Sequence, residues 1–532
     1  MRNKKISYKT ISLIILCIAL LNVVFLIYVR HQKKESKVEV PQEVIAGLGR
    51  DPGVMYGYGA HPPLTRILET LISRDAELRL IPMLATSWKV SDDGLTWTIK
   101  LRKGVKFHDG TPFNAEVVKH NLERLSKRWP ELFGPIKSIE VVDEHTVKVK
   151  HKEPFAPFPY VLAWPGAAMI SPAAIDDEGK VIEPIGTGPF KRVEWVPGKK
   201  LVMERNEEYW GGKPKLERIT LKVIPDPTTR IMALEAGEID MIIDTGGVLP
   251  EHVPPLLMHP EIEVLTVPGA VPHYLTLNTR SEFFKDVRVR KAIMYAIDPA
   301  SIITYALEGY GKVMTTVIPY SEKEWMYPQP LFQFNNPHKA RKLLEEAGWV
   351  DTDGDGIREK DGKEFEVTCL LATGLVNRWP YDTIAEIIQA QLQKVGIRMK
   401  ILTVETGLWR KKMKAGEAEI SMRPWAGISP HTRLMAWFHS KGRNVHNMGI
   451  FYSNPEMDRL IEKLLRTTDE KKAKMLAFEI QKIAAQDVPI IPIYDEVLIN
   501  AIRNNIKGYK IHPWFVVNWE DIYVVSKDSQ NR

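Results

Sequence analysis

Four acidic residues are spaced as in a calcium-binding loop. Asp351, Asp353, Asp355 and Glu359, in DTDGDGIRE, resemble the first half of such a loop, whose carboxylate oxygens suit a hard cation. Position twelve is Gly362 where a complete loop has glutamate. The pattern therefore predicts a stabilising calcium ion remote from any ligand, or alternatively a solvated turn between a helix and a strand.

A second segment, from Ile420 to Pro455, is basic and contains no acidic residue. Imidazole nitrogen is a common ligand of nickel, so His439 and His446 are candidate metal ligands, although their spacing alone does not define a site. His431 follows a proline at a helix start, where a structural role is expected. The cations of the segment are Arg423, Arg433, Lys441 and Arg443.

Several kinds of chemistry are excluded by what the sequence lacks. Cys17 and Cys369 are the only cysteines, so neither a disulfide framework nor a cysteine zinc site is expected. No GxSxG elbow, HExxH helix or phosphate-binding loop occurs, and a hydrolase acting in a cleft would lack an identifiable nucleophile. We therefore expect a protein that is not an enzyme and requires no cofactor.

The N-terminus is basic and then strongly apolar. Residues 1–10 carry Arg2, Lys4, Lys5 and Lys9, and residues 11–29 form an apolar stretch long enough to span a bilayer. No small-x-small cleavage site is evident, so an uncleaved anchor is favoured over a signal peptide. The polar residues 30–41 then form a tether, and the nearly neutral remainder argues against a nucleic-acid surface.

The elements that must position these residues alternate between strand and helix. Period-two stretches such as TWTIKLR and HTVKVKH predict strands, while NAEVVKHNLERL, NPHKARKLLEEAG and YDTIAEIIQAQLQKVG predict amphipathic helices. Residues 223–242 predict a strand, a short helix ending near Gly237, and another strand. We interpret the charges of Arg230, Glu235 and Asp240 there as solvated or locally paired. The fold class is α/β.

Several segments, in order, resemble the family-5 solute-binding proteins of ABC importers, which carry peptides or nickel. The resemblance covers roughly residues 42–525 and is strong because five segments agree. They are LATSWKVSDDGLTWTIKLRKGVKFHDGTPFNAEVV, PIGTGPFK, RNEEYWGGKPKLERITLKVIPDPTTRIMALEAGEID, LNTRSEFFKDVRVRKAIMYAID and AGWVDTDGDGIREKDGK.

The resemblance implies a two-lobed periplasmic-binding-protein-like fold with an inserted third subdomain, closing over its ligand at a hinge. Lobe I would comprise residues 42–72, 203–290 and 503–532. The inserted subdomain would be residues 73–202, and lobe II residues 291–502. We expect a monomer that works with ABC permease subunits outside the cytoplasm, at the cell membrane.

The resemblance also implies which residues line the cleft. Trp129 and Trp425 match tryptophans of the nickel branch, Arg128 would supply an adjacent cation, and a histidine near His446 can contact the metal there. In the family, the basic segment faces the cleft, where cations would favour ligand carboxylates. The remaining predicted ligand-binding residues are Met55, Tyr56, Tyr58, Arg433, Arg443 and Asn444.

Two departures from the family bear on the ligand. Gly166, Ala167 and Ala168 stand where the nickel branch has an arginine pair, and Ser429 stands where peptide carriers often have an aspartate for the amino group. Without that aspartate, the ammonium of a bound peptide would be unpaired in a closed cleft, which is costly. The missing aspartate therefore counts against a peptide more than the missing arginine pair counts against a nickel chelate. We expect a nickel chelate as ligand, with a short peptide as the alternative.

Overall fold

The computed structural model describes residues 40–53, 60–425, 427–514 and 516–526. Residues Gln42–Val524 form one compact unit. Its strands are β1 Glu43–Leu48, β2 Ile72–Arg74, β3 Leu80–Pro82, β4 Ala85–Val90, β5 Thr96–Leu101, β6 Ile136–Asp143, β7 Thr146–His151, β8 Phe190–Val196, β9 Lys200–Arg205, β10 Arg218–Val223, β11 Met241–Ile242, β12 Ile262–Leu277, β13 Gly311–Val313, β14 Glu359–Lys360, β15 Lys363–Glu364, β16 Glu366–Ala372, β17 Arg398–Val404, β18 Ile420–Pro424, β19 Ile490–Arg503, β20 Ile506–Lys507 and β21 Tyr523–Val524.

The main sheet is mixed and has the strand order β17-β16-β18-β12-β19-β11-β1-β10-β9-β8, with β13 added beside β19. Parallel pairs occur at β16 with β17 and β18, and at β1 with β10 and β11. A separate antiparallel sheet has the order β4-β5-β7-β6, and three two-stranded ribbons pair β2 with β3, β14 with β15, and β20 with β21.

The α-helices cover the faces of these sheets, and most of those with ten or more residues begin with a polar cap. Asn114, for example, accepts a hydrogen bond from the Val117 N–H and starts the helix whose buried face holds Val118 and Leu122. The helices are Pro62–Thr65, Ala115–Arg128, Pro130–Phe133, Phe158–Leu162, Pro227–Glu235, Val253–Leu257, Val287–Ala296, Pro299–Ala306, Pro337–Glu346, Thr373–Val376, Tyr381–Gln393, Thr406–Ala415, Pro430–Phe438, Arg443–Asn447, Pro455–Arg466 and Glu470–Asp487.

Buried hydrophobic side chains of the described residues form five groups, three of which are large. The largest, which we call core A, runs from Tyr274 to Tyr494 and joins β16 and β18 to the helices that cover them. Core B, from Leu71 to Met169, lies around the four-stranded sheet. Core C packs the other end of the main sheet, with side chains between Val44 and Ile522. A functional cleft can therefore form where side chains of different cores meet.

Two long strands reach from one core to another. β12 and β19 pair antiparallel over most of their length, from Ile262 opposite Arg503 to Thr276 opposite Ile490. Their register shifts between Pro268 and Pro272, and again after His273. Ile502 belongs to core C, whereas Tyr494 belongs to core A.

The predicted strand-helix-strand unit at residues 223–242 is confirmed. Asp226 caps the helix Pro227–Glu235 by accepting from the Thr229 N–H, and Gly237 follows it with a positive φ of 76°. The solvated interpretation is wrong for Arg230, whose side chain is fully buried. Its guanidinium donates to the carbonyl oxygens of Ile224, just after β10, and of Gly247, in the loop after β11, at 2.5 and 2.7 Å.

The predicted membrane segment, residues 11–29, lies outside the described residues, as do the neighbouring residues 1–10 and most of the tether. Within the described part of the chain, no helix has both the length and the apolar character needed to cross a bilayer.

Candidate functional site

An apolar cavity of about 680 Å³ lies between side chains of core B and core A. One wall is formed by the helix Pro130–Phe133 and the turn at Trp164, and the other by the loop after β18 and the helix Pro430–Phe438. The volume is in the range of small-molecule sites. The lining residues are Glu131, Leu132, Trp164, Pro165, Trp425, Gly427, Ile428, Thr432, Met435, Ala436, Lys441, Arg443 and Trp514.

Local hydrogen bonds hold the second wall in place. Ser429 and Thr432 form a capping box, in which each side chain accepts from the other's backbone N–H, and this fixes the start of the helix Pro430–Phe438. The Trp425 N–H donates to the Pro272 carbonyl at 3.1 Å, which ties the loop to β12. Gly427 permits close packing, since a Cβ there would lie 2.9 Å from the Arg433 guanidinium carbon.

Aromatic rings supply much of the apolar surface. The Trp425 ring meets Trp437 edge to face at 5.8 Å, and Trp164 meets Trp129 in the same way at 4.9 Å. Trp425 therefore lines the cavity. Trp129 does not belong to the lining and instead packs against the lining residue Trp164. Arg128 lies over the Trp129 ring at 5.0 Å but lines a separate polar groove on the far side of the helix Ala115–Arg128.

The cations of the basic segment divide into two groups. Lys441 and Arg443 are exposed and line the cavity, and within the described ranges neither makes a salt bridge or a side-chain hydrogen bond. Arg423 and Arg433 instead have largely buried guanidinium groups. Among the described residues, the Nε of Arg423 has no hydrogen-bond partner, and its guanidinium lies over the Trp409 ring at 5.3 Å. Lys441 and Arg443 are thus the two cations of the segment that are both exposed and in the cavity lining.

Arg433 is engaged within the protein. Its Nε lies 3.3 Å from a Glu322 carboxylate oxygen, and its Nη1 donates to the Trp425 carbonyl at 2.9 Å. Burial opposes the charge, but Glu322 and Tyr274 outweigh it and raise the pKa of the Arg433 guanidinium. These contacts favour a role in fixing the Trp425 loop, and the predicted contact of Arg433 with ligand stays a prediction.

Asp495 lies in the same buried region. Its Oδ2 accepts from the Tyr320 N–H at 2.6 Å, while its Oδ1 has no hydrogen-bond partner among the described residues. Burial raises the pKa of Asp495 to about 7, since Arg433 and Lys312 only partly offset the loss of solvent.

The two candidate nickel ligands lie apart from the cavity lining. His439 is buried, its Nδ1 accepts from the Lys441 N–H at 3.0 Å, and its Nε2 lies 3.6 Å from Glu462. His446 is exposed, and its Nε2 lies 2.8 Å from the Ser440 carbonyl oxygen. In the described part of the chain, neither belongs to a cluster of three metal-ligating side chains.

Three further predicted residues, Met55, Tyr56 and Tyr58, lie outside the described residues. Asn444 is described and buried, and its Nδ2 has no hydrogen-bond partner in the described ranges. It belongs to the short helix Arg443–Asn447, next to the cavity residue Arg443.

A second charged group joins the segment after β1 to the segments after β11 and β16. Asp244 is buried and accepts from Arg50 at 2.9 Å, while Arg378 donates to the Thr245 carbonyl at 2.8 Å. Burial, with Arg50 next, lowers the pKa of Arg378 to about 10 and holds the pKa of His61 well below its usual value. With His61 neutral, the guanidinium groups of Arg50 and Arg378 are balanced by two carboxylates, Asp244 and Glu496, so the group carries no excess positive charge.

Contacts across the cleft join its two walls. Arg74, at the end of β2, donates to the Ile428 carbonyl oxygen, and its guanidinium lies 4.2 Å from the Trp514 ring. The Ala156 N–H donates to the Leu465 carbonyl at 2.8 Å, and Arg466 pairs with Glu153 at 2.7 Å. The structure therefore shows the cleft with its walls in contact.

The acidic loop forms as the sequence predicts. One carboxylate oxygen from each of Asp351, Asp353, Asp355 and Glu359 lies within 4.8 Å of the others. Backbone N–H groups of the loop support them, such as Gly354 donating to Asp351 at 2.7 Å. The calcium ion itself stays a prediction.

Sequence reasoning missed part of the cavity. Trp164, Trp514 and Glu131 come from segments far apart in the chain. Arg378, which belongs to the second charged group and not to the cavity lining, follows a short helix that no strong pattern marks. The only available signal was chemical, since tryptophan and unpaired charge are enriched in binding sites. Their convergence requires the three-dimensional arrangement.

Comparisons with known proteins agree on one family. The model for bacterial extracellular solute-binding proteins, family 5, matches residues 79–445. A glutathione-binding protein, GsiB of Escherichia coli O1:K1 / APEC, is 32% identical over an alignment of 508 positions, and the match covers 90% of this chain and 94% of the relative.

Solved structures superpose over nearly the whole chain. NikA from Brucella suis, in complex with Fe(III)-EDTA, is 28% identical with a TM-score of 0.82, and AppA from Bacillus subtilis, in complex with a nonapeptide, is 28% identical with a TM-score of 0.77. Each match covers 91% of this chain and 100% of the other. The predicted α/β class, with two lobes and an inserted subdomain, is confirmed.

Proposed function

Because the chain belongs to family 5 of the bacterial extracellular solute-binding proteins, we propose that its cavity binds a short anionic peptide for delivery to an ABC permease. The observation that carries this proposal is the set of unpaired charges on an otherwise apolar surface. Lys441 and Arg443 stand ready for carboxylates, and the tryptophans Trp164, Trp425 and Trp514 offer flat surfaces to the peptide backbone and side chains.

The charge pattern favours a peptide with two carboxylates and one amino group. Two cations and one acid, Glu131, line the cavity, which gives it a net positive charge. Glutathione has this complement of groups, and the relative GsiB is named for binding it. Glutathione is therefore the peptide we select for the first test.

A nickel chelate is the second candidate, favoured by the same cations and tryptophans. A polycarboxylate chelate would present carboxylates to Lys441 and Arg443, and NikA of Brucella suis holds Fe(III)-EDTA. The positions of His439 and His446 weigh against direct protein coordination of nickel, because neither side chain lines the cavity. We therefore place the peptide first and retain the chelate as the alternative.

Isothermal titration calorimetry on the full-length protein in detergent tests the choice. Glutathione and a neutral tripeptide, trialanine, would be compared with Ni²⁺ plus L-histidine and with Ni²⁺–EDTA. We expect glutathione to bind most tightly, and the double variant Lys441→Ala, Arg443→Ala to lose that binding. Lys342→Ala, which removes an exposed cation of another helix, is the matched control. Tight binding of a nickel complex without peptide binding would reverse the assignment.

The proposal includes transport without chemical change. GsiB and AppA are described as binding proteins, and Helicobacter pylori DppA is described as an ABC transporter-associated periplasmic binding protein. Mass spectrometry of glutathione recovered after incubation should find it intact. Recovery of cleaved peptide would instead support the hydrolase alternative.

The proposal also includes a body outside the cytoplasm, held to the cell membrane by residues 11–29. The family description is extracellular, and the apolar length of this segment supports an anchor. Membrane fractionation of the native host would detect it.

A further inference from the structure

Glu131 is the acidic residue of the cavity lining. It lies in the short helix Pro130–Phe133, whose Phe133 is fully buried in core B and holds the helix in place. Its side chain is exposed, and in the described part of the chain no salt bridge or hydrogen bond engages its carboxylate. Neighbouring cations do not neutralise it, since Arg128 lies over Trp129 instead.

The cations of the cavity belong to the other wall. Lys441 and Arg443 follow the helix Pro430–Phe438, which packs in core A. The acidic and the basic side chains thus lie on different walls of one apolar cavity, and in the described part of the chain none of them forms a salt bridge within the protein. A ligand with an ammonium at one end and carboxylates at the other would satisfy both.

We propose that Glu131 binds the free amino group of the peptide and so selects ligands whose amino terminus is unmodified. This inference rests on the proposed function, because it assigns a role within the same site. The carboxylate accepts a charge-assisted hydrogen bond from the ligand ammonium, while Lys441 and Arg443 donate to the ligand carboxylates. One ligand then bridges the two walls, because the acidic residue of one wall binds its ammonium and the cations of the other wall bind its carboxylates.

The apolar surroundings give this contact its selectivity. Leu132, Trp164 and Trp514 line the cavity with Glu131, so a bound peptide excludes water from the carboxylate. An acetylated amino group carries no charge, and Glu131 would then lose solvent without gaining a cationic partner. The site therefore binds the peptide with a free amino group more tightly than the acetylated peptide, because only the first compensates the Glu131 carboxylate.

The test compares glutathione with N-acetyl glutathione, by calorimetry on the full-length protein and its Glu131→Gln variant. For the wild type, glutathione should bind roughly tenfold or more tightly than the acetylated form, as expected for a charge-assisted hydrogen bond. Glu131→Gln should reduce this ratio to within about twofold. Glu123→Gln, on the neighbouring helix, should leave the ratio unchanged.

A pH series provides a readout that a structural role would not affect. At alkaline pH the ligand ammonium loses its proton, so wild-type affinity for glutathione should fall as the amine titrates while that of Glu131→Gln stays level. Equal binding of both ligands by the wild type, or an unchanged ratio in Glu131→Gln, overturns this inference and leaves the peptide function standing. Failure of the wild type to bind either ligand overturns both.

Discussion

Replacing Asp495 by asparagine should stabilise the protein at neutral pH. The buried carboxyl has a pKa of about 7, against an ordinary value of 3.8, because desolvation outweighs the help of Arg433 and Lys312. Its folded-state pKa is raised, so the folded state holds the proton more strongly than the unfolded chain does. Stability is therefore lost as pH rises from about 4 to about 7, and the loss is complete above that range.

The size of the effect follows from the shift. About three pH units at 1.36 kcal/mol each amount to roughly 4 kcal/mol above pH 7, of which roughly 1.5 kcal/mol is already lost at pH 5. Asparagine imitates the protonated acid and can still accept from the Tyr320 N–H. The stability advantage of Asp495→Asn over the wild type should thus grow by roughly 3 kcal/mol between pH 5 and pH 8.

Urea denaturation at pH 5, 6, 7 and 8 measures this difference, with Asp177→Asn as a control at an exposed position. The control should match the wild type at every pH. An advantage of Asp495→Asn that does not change with pH would refute the assignment of a titrating group. A loss of stability at pH 8 would show that the ionised carboxylate is favourable there.

Further predictions concern binding and stability separately. Arg443→Ala should weaken glutathione binding by about 1.5 to 3 kcal/mol in calorimetry without lowering the melting temperature, because the guanidinium has no partner in the described protein. Arg433→Ala should destabilise the fold by about 3 to 5 kcal/mol in urea, since it leaves Glu322 buried without its cation. Glutathione should raise the melting temperature and reduce the radius of gyration of any open form, whereas identical scattering curves with and without ligand would count against closure. Calcium should raise the melting temperature of the wild type but not of Asp353→Asn, and an equal response in both would exclude this loop as the site.

Local patterns were sufficient for the elements, because they depend on neighbouring residues. The short helix that ends near Gly237 forms between two strands as predicted, and the carboxylates of the loop at Asp351 lie close together. Arg230 was misinterpreted, since its burial depends on carbonyl groups of Gly247, seventeen residues away. The sequence correctly predicts that a charged side chain is exposed only when no distant segment of the chain covers it.

The cavity shows the same limit. Trp425 was predicted through a resemblance of local sequence and lines the cavity, but Trp514 joins it from nearly ninety residues away. Arg433 and Arg443 look equivalent in the sequence, yet one faces Glu322 in the interior and the other faces the cavity. The two arginines differ in whether their side chains point toward Glu322, which is more than a hundred residues away in the chain. Neighbouring residues in the sequence do not indicate that direction.

The prolines in the β12–β19 pair suggest where the molecule bends. Pro268 and Pro272 lie opposite Val497 and Asp495, and Pro492 lies opposite Tyr274, so three positions of the ladder lack an N–H donor. Bending at these positions breaks fewer interstrand hydrogen bonds than bending elsewhere along the pair. Because each strand contributes to the cores at both of its ends, neither lobe can be cut away without removing strands from the other. The two lobes therefore share the paired strands β12 and β19. Opening of the cleft would bend this continuous part of the sheet, since no flexible linker separates the lobes there.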